Sequence, residues 1–308
     1  MTINPVFDTV LIIGGGLIGS SLARAAQTFQ ACKKTIIYDA DKTVRSELTQ
    51  LKVGDEVPDD LSDCVSQADL IILAVPPGRM GDAAKSISSY VQPGTIVTDA
   101  GSVKESIIDA VEAALSDEVI FIGGHPIAGT EHSGPAAGFA TLFKDRWCIL
   151  TPTDEKSAEA KKLKQFWEAL GSEVAFMDAK RHDLVLATTS HLPHLIAYAL
   201  VGTATDMETV TRNEVVKYSA GGFRDFTRIA ASNPEMWRDV FLGNREGVLE
   251  VLGRYIEDLT ALKRAIRWSD GDSLLNEFTK TRDIRKRIID AGQDSAEPNF
   301  GRDHLSED

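Results

Sequence analysis

Cysteine is scarce in this chain. Cys32, Cys64 and Cys148 are the three present in 308 residues, far apart and at no metal-ligand spacing. That pattern argues against a disulfide framework or a cysteine-rich metal site and points to a reducing, cytoplasmic compartment. An excess of basic residues is also lacking: 33 Lys and Arg face 46 Asp and Glu, a formal net charge of -13. A nucleic-acid backbone or an anionic membrane surface would be repelled by such a balance. Small acidic ligands stay open, because a few local arginines suffice to bind them. No run approaches the roughly 20 apolar residues needed to cross a bilayer, and MTINPVFD lacks the basic-then-apolar order of a secretory signal. What is present is a hydrophobic share of 43%, enough for a sizeable core, in a length that suits roughly two domains of about 100–200 residues each.

The first half alternates short apolar runs with helical patterns. Strands are expected at 10–13, 35–39, 70–75, 96–99, 119–122, 147–150 and 174–177, with helices at 17–29, 103–115 and 155–170. This order predicts an α/β fold with a parallel sheet covered on both faces. Near Asp178 the texture changes to long helical stretches. HDLVLATTSHLPHLIAYALVG reads as a buried core helix. NREGVLEVLGRYIEDLTALKRAIRW is amphipathic, with Val248, Leu252, Tyr255, Leu259 and Leu262 three or four apart, and suits a bundle or a dimer interface. The expected domains are 1–178 and 179–290, followed by a loose acidic tail, 291–308.

VLIIGGGLIGSSLARA places Gly14, Gly16 and Gly19 in G-x-G-x-x-G spacing between a strand and a helix, and Asp39 stands 20 residues past Gly19. The first glycine permits the turn, the second lets the backbone approach a pyrophosphate, and the third lets helix and strand pack closely. The helix start, at Leu17 and Ile18, directs free N–H groups at phosphate. A carboxylate at Asp39 accepts from ribose hydroxyls and repels a 2′-phosphate, so the pattern favours NAD over NADP, although Lys42 and Arg45 lie nearby. Val75 and Pro76, at the next strand end, would line the cofactor. The first domain is therefore expected to be a Rossmann-type doubly wound sheet.

Chemistry is expected beyond the ends of the following strands. GGHPIAGTE, 123–131, is too poor a phosphate loop for a chain that already has a better one, and His125 has an imidazole suited to proton abstraction near neutral pH. Ser102 in DAGSVKES stands three before Glu105, as in a capping box, and its hydroxyl could also face a ligand. Ser232 and Glu235 repeat that spacing around Pro234. In the helical half, His191 and His194 share a face, with no carboxylate or cysteine at ligand spacing, so no metal is expected; Pro193 should kink the helix. His182 reads as a helix-start residue pairing locally. Arg224 and Arg228 stand one turn apart, placed either to grip a carboxylate or to pair with Asp225 or Asp239.

VLIIGGGLIGSSLARA, TDAGSVK, GGHPIAGTEHSG, HDLVLATTSHLPH and GGFRDFTRIAASNPEMWRD, in this order, resemble the prephenate and arogenate dehydrogenase family over most of the chain. The resemblance implies NAD-dependent oxidative decarboxylation of prephenate to 4-hydroxyphenylpyruvate, or of arogenate to tyrosine. It implies that His125 takes the 4-hydroxyl proton and Ser102 hydrogen-bonds the same hydroxyl. Arg228 would hold a substrate carboxylate, His194 would line the pocket and Glu131 would gate it. Trp237 would reach the substrate from a partner subunit, in a homodimer built by an all-α C-terminal dimerisation domain. Two other readings compete. A β-hydroxyacid dehydrogenase would call on a lysine in the helical half, for which Lys217 is available; a dinucleotide-sensing regulator would need none of His125, Ser102 and Arg228 together.

Overall fold

The computed structural model describes residues 5–130, 132–211 and 221–290. The acidic tail 291–308 lies outside them. Among the described residues seven strands form one sheet, in the order β2-β1-β3-β4-β5-β6-β7. They are β1 (Phe7–Ile13), β2 (Cys32–Tyr38), β3 (Leu70–Leu73), β4 (Ile96–Asp99), β5 (Ile120–Pro126), β6 (Trp147–Thr151) and β7 (Glu173–Phe176).

The alternation of each strand splits its apolar residues between two cores. Val10, Ile12, Leu70 and Ile72 face one side, with Leu22 and Ala26 of α1 (Leu17–Thr28) and Phe166 and Trp167 of α6 (Ala158–Ala169). Leu11, Ile13, Ile71 and Leu73 face the other. There they meet Met80 and Ile87 of α4 (Met80–Ile87) and Ile107 and Val111 of α5 (Glu105–Glu112). A strand covered on both faces has no polar side to present, which is why β3 reads LIIL and is buried throughout. The sequence reading lacked α2 (Lys42–Gln50), the single turn α3 (Ser62–Val65) and α4.

Strands β1 to β5 run parallel, and β6 pairs antiparallel with β5 while β7 is parallel to β6. The sheet is thus not parallel throughout. A parallel neighbour needs a crossover, usually helical. Among the described residues the β5–β6 connection carries no more than the 3-10 turn Pro135–Ala137, so β6 returns in the opposite sense. Its ladder runs from Gly123↔Thr151 to Pro126↔Cys148 and extends β5 four residues past the 119–122 expected from sequence. The order reverses between β2 and β3 on either side of β1, and a crevice opens at the carboxyl ends there.

Beyond β7 every described element is helical: α7 (Ala179–Leu186), a π turn (Ala187–His191), α8 (Leu192–Thr211), α9 (Gly221–Thr227), the 3-10 turn Arg228–Ala231, α10 (Pro234–Gly243), α11 (Arg245–Arg267) and α12 (Gly271–Asp290). By their internal contacts Met1–Val251 form one unit and Leu252–Asp308 a second. The first half of the helical segment therefore packs with the sheet. Ala179–Asp206 is one continuous helical run, long and apolar enough by length and composition to cross a membrane, contrary to the expectation that no run reaches that length. It also carries buried His182, Asp183 and His191. It is not the wholly buried core helix expected, because Leu184, Val185, Leu200 and Val201 are exposed.

Candidate functional site

At the carboxyl end of β1 the backbone itself forms a cradle. Gly14 has φ +111°, in the left-handed region that favours glycine. A Cβ on Gly19 would overlap the Gly14 carbonyl oxygen, so helix α1 can approach the strand this closely with glycine alone at that position. Gly16 has open space around it, and no side chain caps α1. The first-turn N–H groups at Leu17 and Ile18 are thus left for an external anion. Asp39 accepts from the N–H of Gly15 at 2.7 Å and of Asp41 at 2.8 Å. A cleft of about 710 Å³ follows, lined by Gly14, Asp39, Val75 and Pro76 together with Asp59, Asp60 and Asp82. Arg45 is turned to the carbonyl oxygens of Asp39 (2.9 Å) and Ala40 (3.1 Å) and to the carboxylate of Asp59 (3.5 Å). A dinucleotide fits these residues: open backbone for the pyrophosphate, a carboxylate for a ribose.

His125 stands at the end of β5, 8% exposed. Gly123 and Gly124 precede it because nothing larger fits: a Cβ on Gly124 would lie 2.6 Å from the Asp99 carbonyl oxygen, and one on Gly123 would overlap Thr151. Beneath them lies a fully buried ion pair. Lys104 Nζ donates to Asp99 Oδ2 and, at 2.6 Å, to the carbonyl oxygen of Gly124, while Asp99 Oδ1 accepts the Gly124 N–H at 3.0 Å. The peptides on both sides of Gly124 are therefore clamped. His125 Nδ1 lies 2.8 Å from His182 Nε2, and His182 Nδ1 lies 2.8 Å from Asp183 Oδ1. Burial first, then the nearby His182 and Lys104, hold the His125 imidazole well below its ordinary range. It stays a neutral base.

Asp183 also accepts the N–H groups of Lys104 (2.8 Å) and Glu105 (3.0 Å). The start of α5 is thus capped from α7, and the N-cap position is held by Lys104 and not by Ser102. The capping box read from Ser102 and Glu105 is overturned: a carboxylate from another helix takes the free N–H groups. Ser102 is half-buried on the loop between Asp99 and α5. The second box fails similarly. Asn233 caps α10 through the N–H groups of Glu235 and Met236, leaving Ser232 outside and Pro234 in the first turn.

Pro193 does not break the helix. The π turn before it passes the Leu192 N–H to Ala187, five residues back, and such bulges re-aim side chains. His194 donates from Nδ1 to the Ser190 carbonyl oxygen at 2.9 Å and stacks on Trp237, with centroids 3.6 Å apart. His191 is fully buried. Asn244 Nδ2 donates to the Asp183 carbonyl oxygen at 2.6 Å and contacts His191 Nδ1 at 3.1 Å. Burial lowers the His191 pKa to about 4. Trp237, expected to reach the substrate from a partner subunit, is 6% exposed and packed among its own chain's Val240, Met236 and Phe241. Arg228 opens the 3-10 turn after α9 and is exposed, close enough for its charge to lower the His194 pKa after burial does. Asp239 is bound by Arg238 at 2.7 Å and not by either fork arginine. Glu131 and Lys217 lie outside the described residues.

His182, Asp183 and Lys104 are the site residues that reading the sequence missed. His182 does pair locally at a helix start, with Asp183, but its other ring nitrogen meets His125, 57 residues away, and that contact is the one the sequence hid. The signal available was an adjacent His-Asp pair running into Leu184 and Val185, and a lysine five residues after Asp99 in DAGSVK.

Two family models cover the chain. The prephenate dehydrogenase nucleotide-binding domain matches residues 22–176, and the prephenate dehydrogenase dimerization domain matches residues 178–280. The chain is 43% identical to a cyclohexadienyl dehydrogenase of Zymomonas mobilis, over 91% of this chain and 96% of the relative. Among solved structures it resembles a prephenate dehydrogenase from A. aeolicus in complex with hydroxyphenyl propionate and NAD+. The TM-score is 0.84 and the identity 35%, over 94% of this chain and 100% of that one. A Synechocystis arogenate dehydrogenase superposes with TM-score 0.76 and 27% identity, over 91% of this chain and 99% of that one. With family models matching residues 22–176 and 178–280, the chain belongs to the prephenate dehydrogenase family.

Proposed function

We propose that this protein carries out the NAD-dependent oxidative decarboxylation of prephenate to 4-hydroxyphenylpyruvate, and accepts arogenate, giving tyrosine, in the same pocket. The observation that carries this is His125: a buried neutral imidazole at a strand end, with Nδ1 engaged by His182 and Nε2 without a partner among the described residues. It stands at the same edge of the sheet as the Gly14 cradle, since β1, β3, β4 and β5 are parallel.

His125 Nε2 takes the proton of the substrate 4-hydroxyl, and the O–H electron pair becomes a C=O bond as the hydrogen on that carbon leaves with its electrons. When bound, NAD accepts that hydride. The ring carboxylate then departs as carbon dioxide, its bonding pair completes the aromatic ring, and His125 returns its proton to the phenolate oxygen. Ser102, on the adjacent strand's loop, hydrogen-bonds the hydroxyl and orients it. Arg228 binds a substrate carboxylate; among the described residues no acidic side chain pairs with it. His194, stacked on Trp237, lines the pocket, and Glu131 is assigned to its gate. Gly14, Gly16 and Gly19, with the N–H groups at Leu17 and Ile18, hold the pyrophosphate; Asp39 holds the ribose; Val75 and Pro76 line the rest. NAD is favoured over NADP because Asp39, Asp59, Asp60 and Asp82 line one cleft, where Arg45 is engaged by Asp59 and the carbonyl oxygens of Asp39 and Ala40 and Arg79 pairs with Asp82. The protein works as a cytoplasmic homodimer. The exposed Leu249, Ile256, Leu259 and Ile266 of α11 and Leu275 and Phe278 of α12 give a partner an apolar surface.

Absorbance of reduced cofactor, followed with prephenate, arogenate and 3-hydroxy acids in turn, tests the reading. Turnover is expected with prephenate, and turnover with 3-hydroxy acids alone would overturn it. His125→Asn should lower kcat about 10²–10⁴-fold with KM little changed, the range expected for a lost general base. Arg228→Ala should raise KM for substrate with a smaller effect on kcat.

A further inference from the structure

Proton bookkeeping around His125 leads beyond the base itself. Asp183 Oδ1 receives the backbone N–H of Lys104 and faces His182 Nδ1; Oδ2 receives the N–H of Glu105. Backbone amides can only donate, and imidazole is more basic than a carboxylate. The proton shared between His182 Nδ1 and Asp183 therefore sits on the histidine. His182 is fully buried, and burial, ahead of the opposing pull of Asp183, keeps it neutral. A neutral imidazole carries one N–H, so His182 Nε2 is bare. At 2.8 Å from that bare nitrogen, His125 Nδ1 must be the donor. His125 then has its lone pair on Nε2.

We propose that His182 is a positioning residue that sets the tautomer of His125. Asp183 fixes the His182 proton on Nδ1, His182 Nε2 holds the Nδ1 proton of His125, and the nitrogen left to act as base is His125 Nε2. The inference rests on the reading of His125 as the base. A histidine without such a partner samples both tautomers, and one of them presents N–H where a base is needed. The rings meet edge to face, with centroids 5.0 Å apart and planes at 64°, which fixes orientation as well as protonation. The same Asp183 caps α5, behind the loop that bears Ser102. One carboxylate thus ties the base and the Ser102 loop to α7. The other charged or titratable groups around the pair are Lys104 and Asp99 on the β4–α5 segment, His191 on the π turn and Cys148 on β6, whose thiol meets the His125 backbone N–H. None of these hydrogen-bonds either His125 ring nitrogen.

The test is nitrogen NMR of the full chain labelled with 15N-histidine, assigned with His125→Asn and His182→Gln. The expected spectrum has His125 and His182 both protonated on Nδ1 and bare on Nε2 at neutral pH. A wild-type His125 carrying its proton on Nε2 overturns the proposal. Kinetics supply the second arm. His182→Leu should lower kcat about 10- to 100-fold, with NAD affinity and substrate KM within a few-fold of wild type. His182→Gln, whose amide oxygen can accept the His125 proton, should recover part of that loss. Unchanged kcat in His182→Leu, or His182→Gln no better than a His182→Leu that folds and binds NAD, also overturns it. If His182→Leu does not fold, the wild-type spectrum decides alone. Normal turnover in His125→Asn would sink the base reading instead, and the spectrum would still show whether the two histidines are wired as described.

Discussion

The two clefts at the carboxyl edge of the sheet handle charge in opposite ways. At the nucleotide cradle the chain relies on backbone. Gly14, Gly16 and Gly19 contribute shape, and Asp39 is half-exposed, oriented by two amide N–H groups. At the histidine site the charges are sealed in. Asp99, Lys104 and Asp183 are buried and compensate one another or cap backbone, with no solvent to relax into. A group in contact with water exchanges a lost partner for hydration, whereas a buried one cannot. The cradle should therefore tolerate side-chain changes with modest losses, and the histidine site should respond to single changes with large ones.

The largest expected effect on stability is at Lys104. Lys104→Met leaves the Asp99 carboxylate buried without its cation, which costs about 3–5 kcal/mol. Urea denaturation followed by fluorescence measures it. A loss near zero would mean that the pair is not sealed and would dissolve the contrast between the clefts. Because Lys104 clamps Gly124, NAD affinity should change little while kcat falls.

The cradle was legible in the sequence because its parts are local: three glycines within six residues, then a carboxylate at the end of the next strand. The strands were legible for the same reason, since LIIL can hardly be anything but a doubly covered strand. The histidine site was legible only in part. His125 showed itself by standing after two glycines at a strand end. Its support comes from His182, from Lys104 on the neighbouring strand's loop, and from Asp183, 79 residues beyond Lys104. No local spacing records a partner that folding alone brings near. Capping failed for a related reason. Ser102 and Ser232 stand at plausible offsets, but the cap goes to whichever acceptor tertiary structure delivers, Asp183 in one case and Asn233 in the other. The reversal of β6 was hidden because it depends on the absence of a crossover helix in the β5–β6 connection.

A second effect separates the clefts by pH. His191 is neutral when buried and has its pKa near 4, whereas the unfolded chain's histidine titrates near 6.5. Its depressed value means that stability is fully present above about pH 6.5 and is lost as pH falls toward 4, because the unfolded state binds the proton first. The loss attributable to this one group tends to about 3.5 kcal/mol well below pH 4, from a shift of roughly two and a half units at about 1.4 kcal/mol each, and reaches about 2.5 kcal/mol by pH 4.5. Thermal or urea unfolding at pH 7.5 and 4.5 should show wild type losing that much more than His191→Leu. Parallel losses in the two proteins would place the proton sensitivity elsewhere.

The smallest effect should be at Asp39. Asp39→Asn keeps an acceptor for only one of the two N–H groups that the carboxylate now holds, at Gly15 and Asp41. It also removes a charge that opposes a 2′-phosphate. NAD affinity should fall by about tenfold, or roughly 1.4 kcal/mol, while NADP affinity rises from its low starting point. Unfolding free energy should change by less than about 1 kcal/mol, since the site can hydrate. Titration of both cofactors against wild type and variant reads all of this. A loss of stability as large as that of Lys104→Met would show that the cradle, too, depends on a sealed charge. NADP binding unchanged by the substitution would move cofactor choice to other carboxylates of the same cleft, Asp59, Asp60 and Asp82 among them.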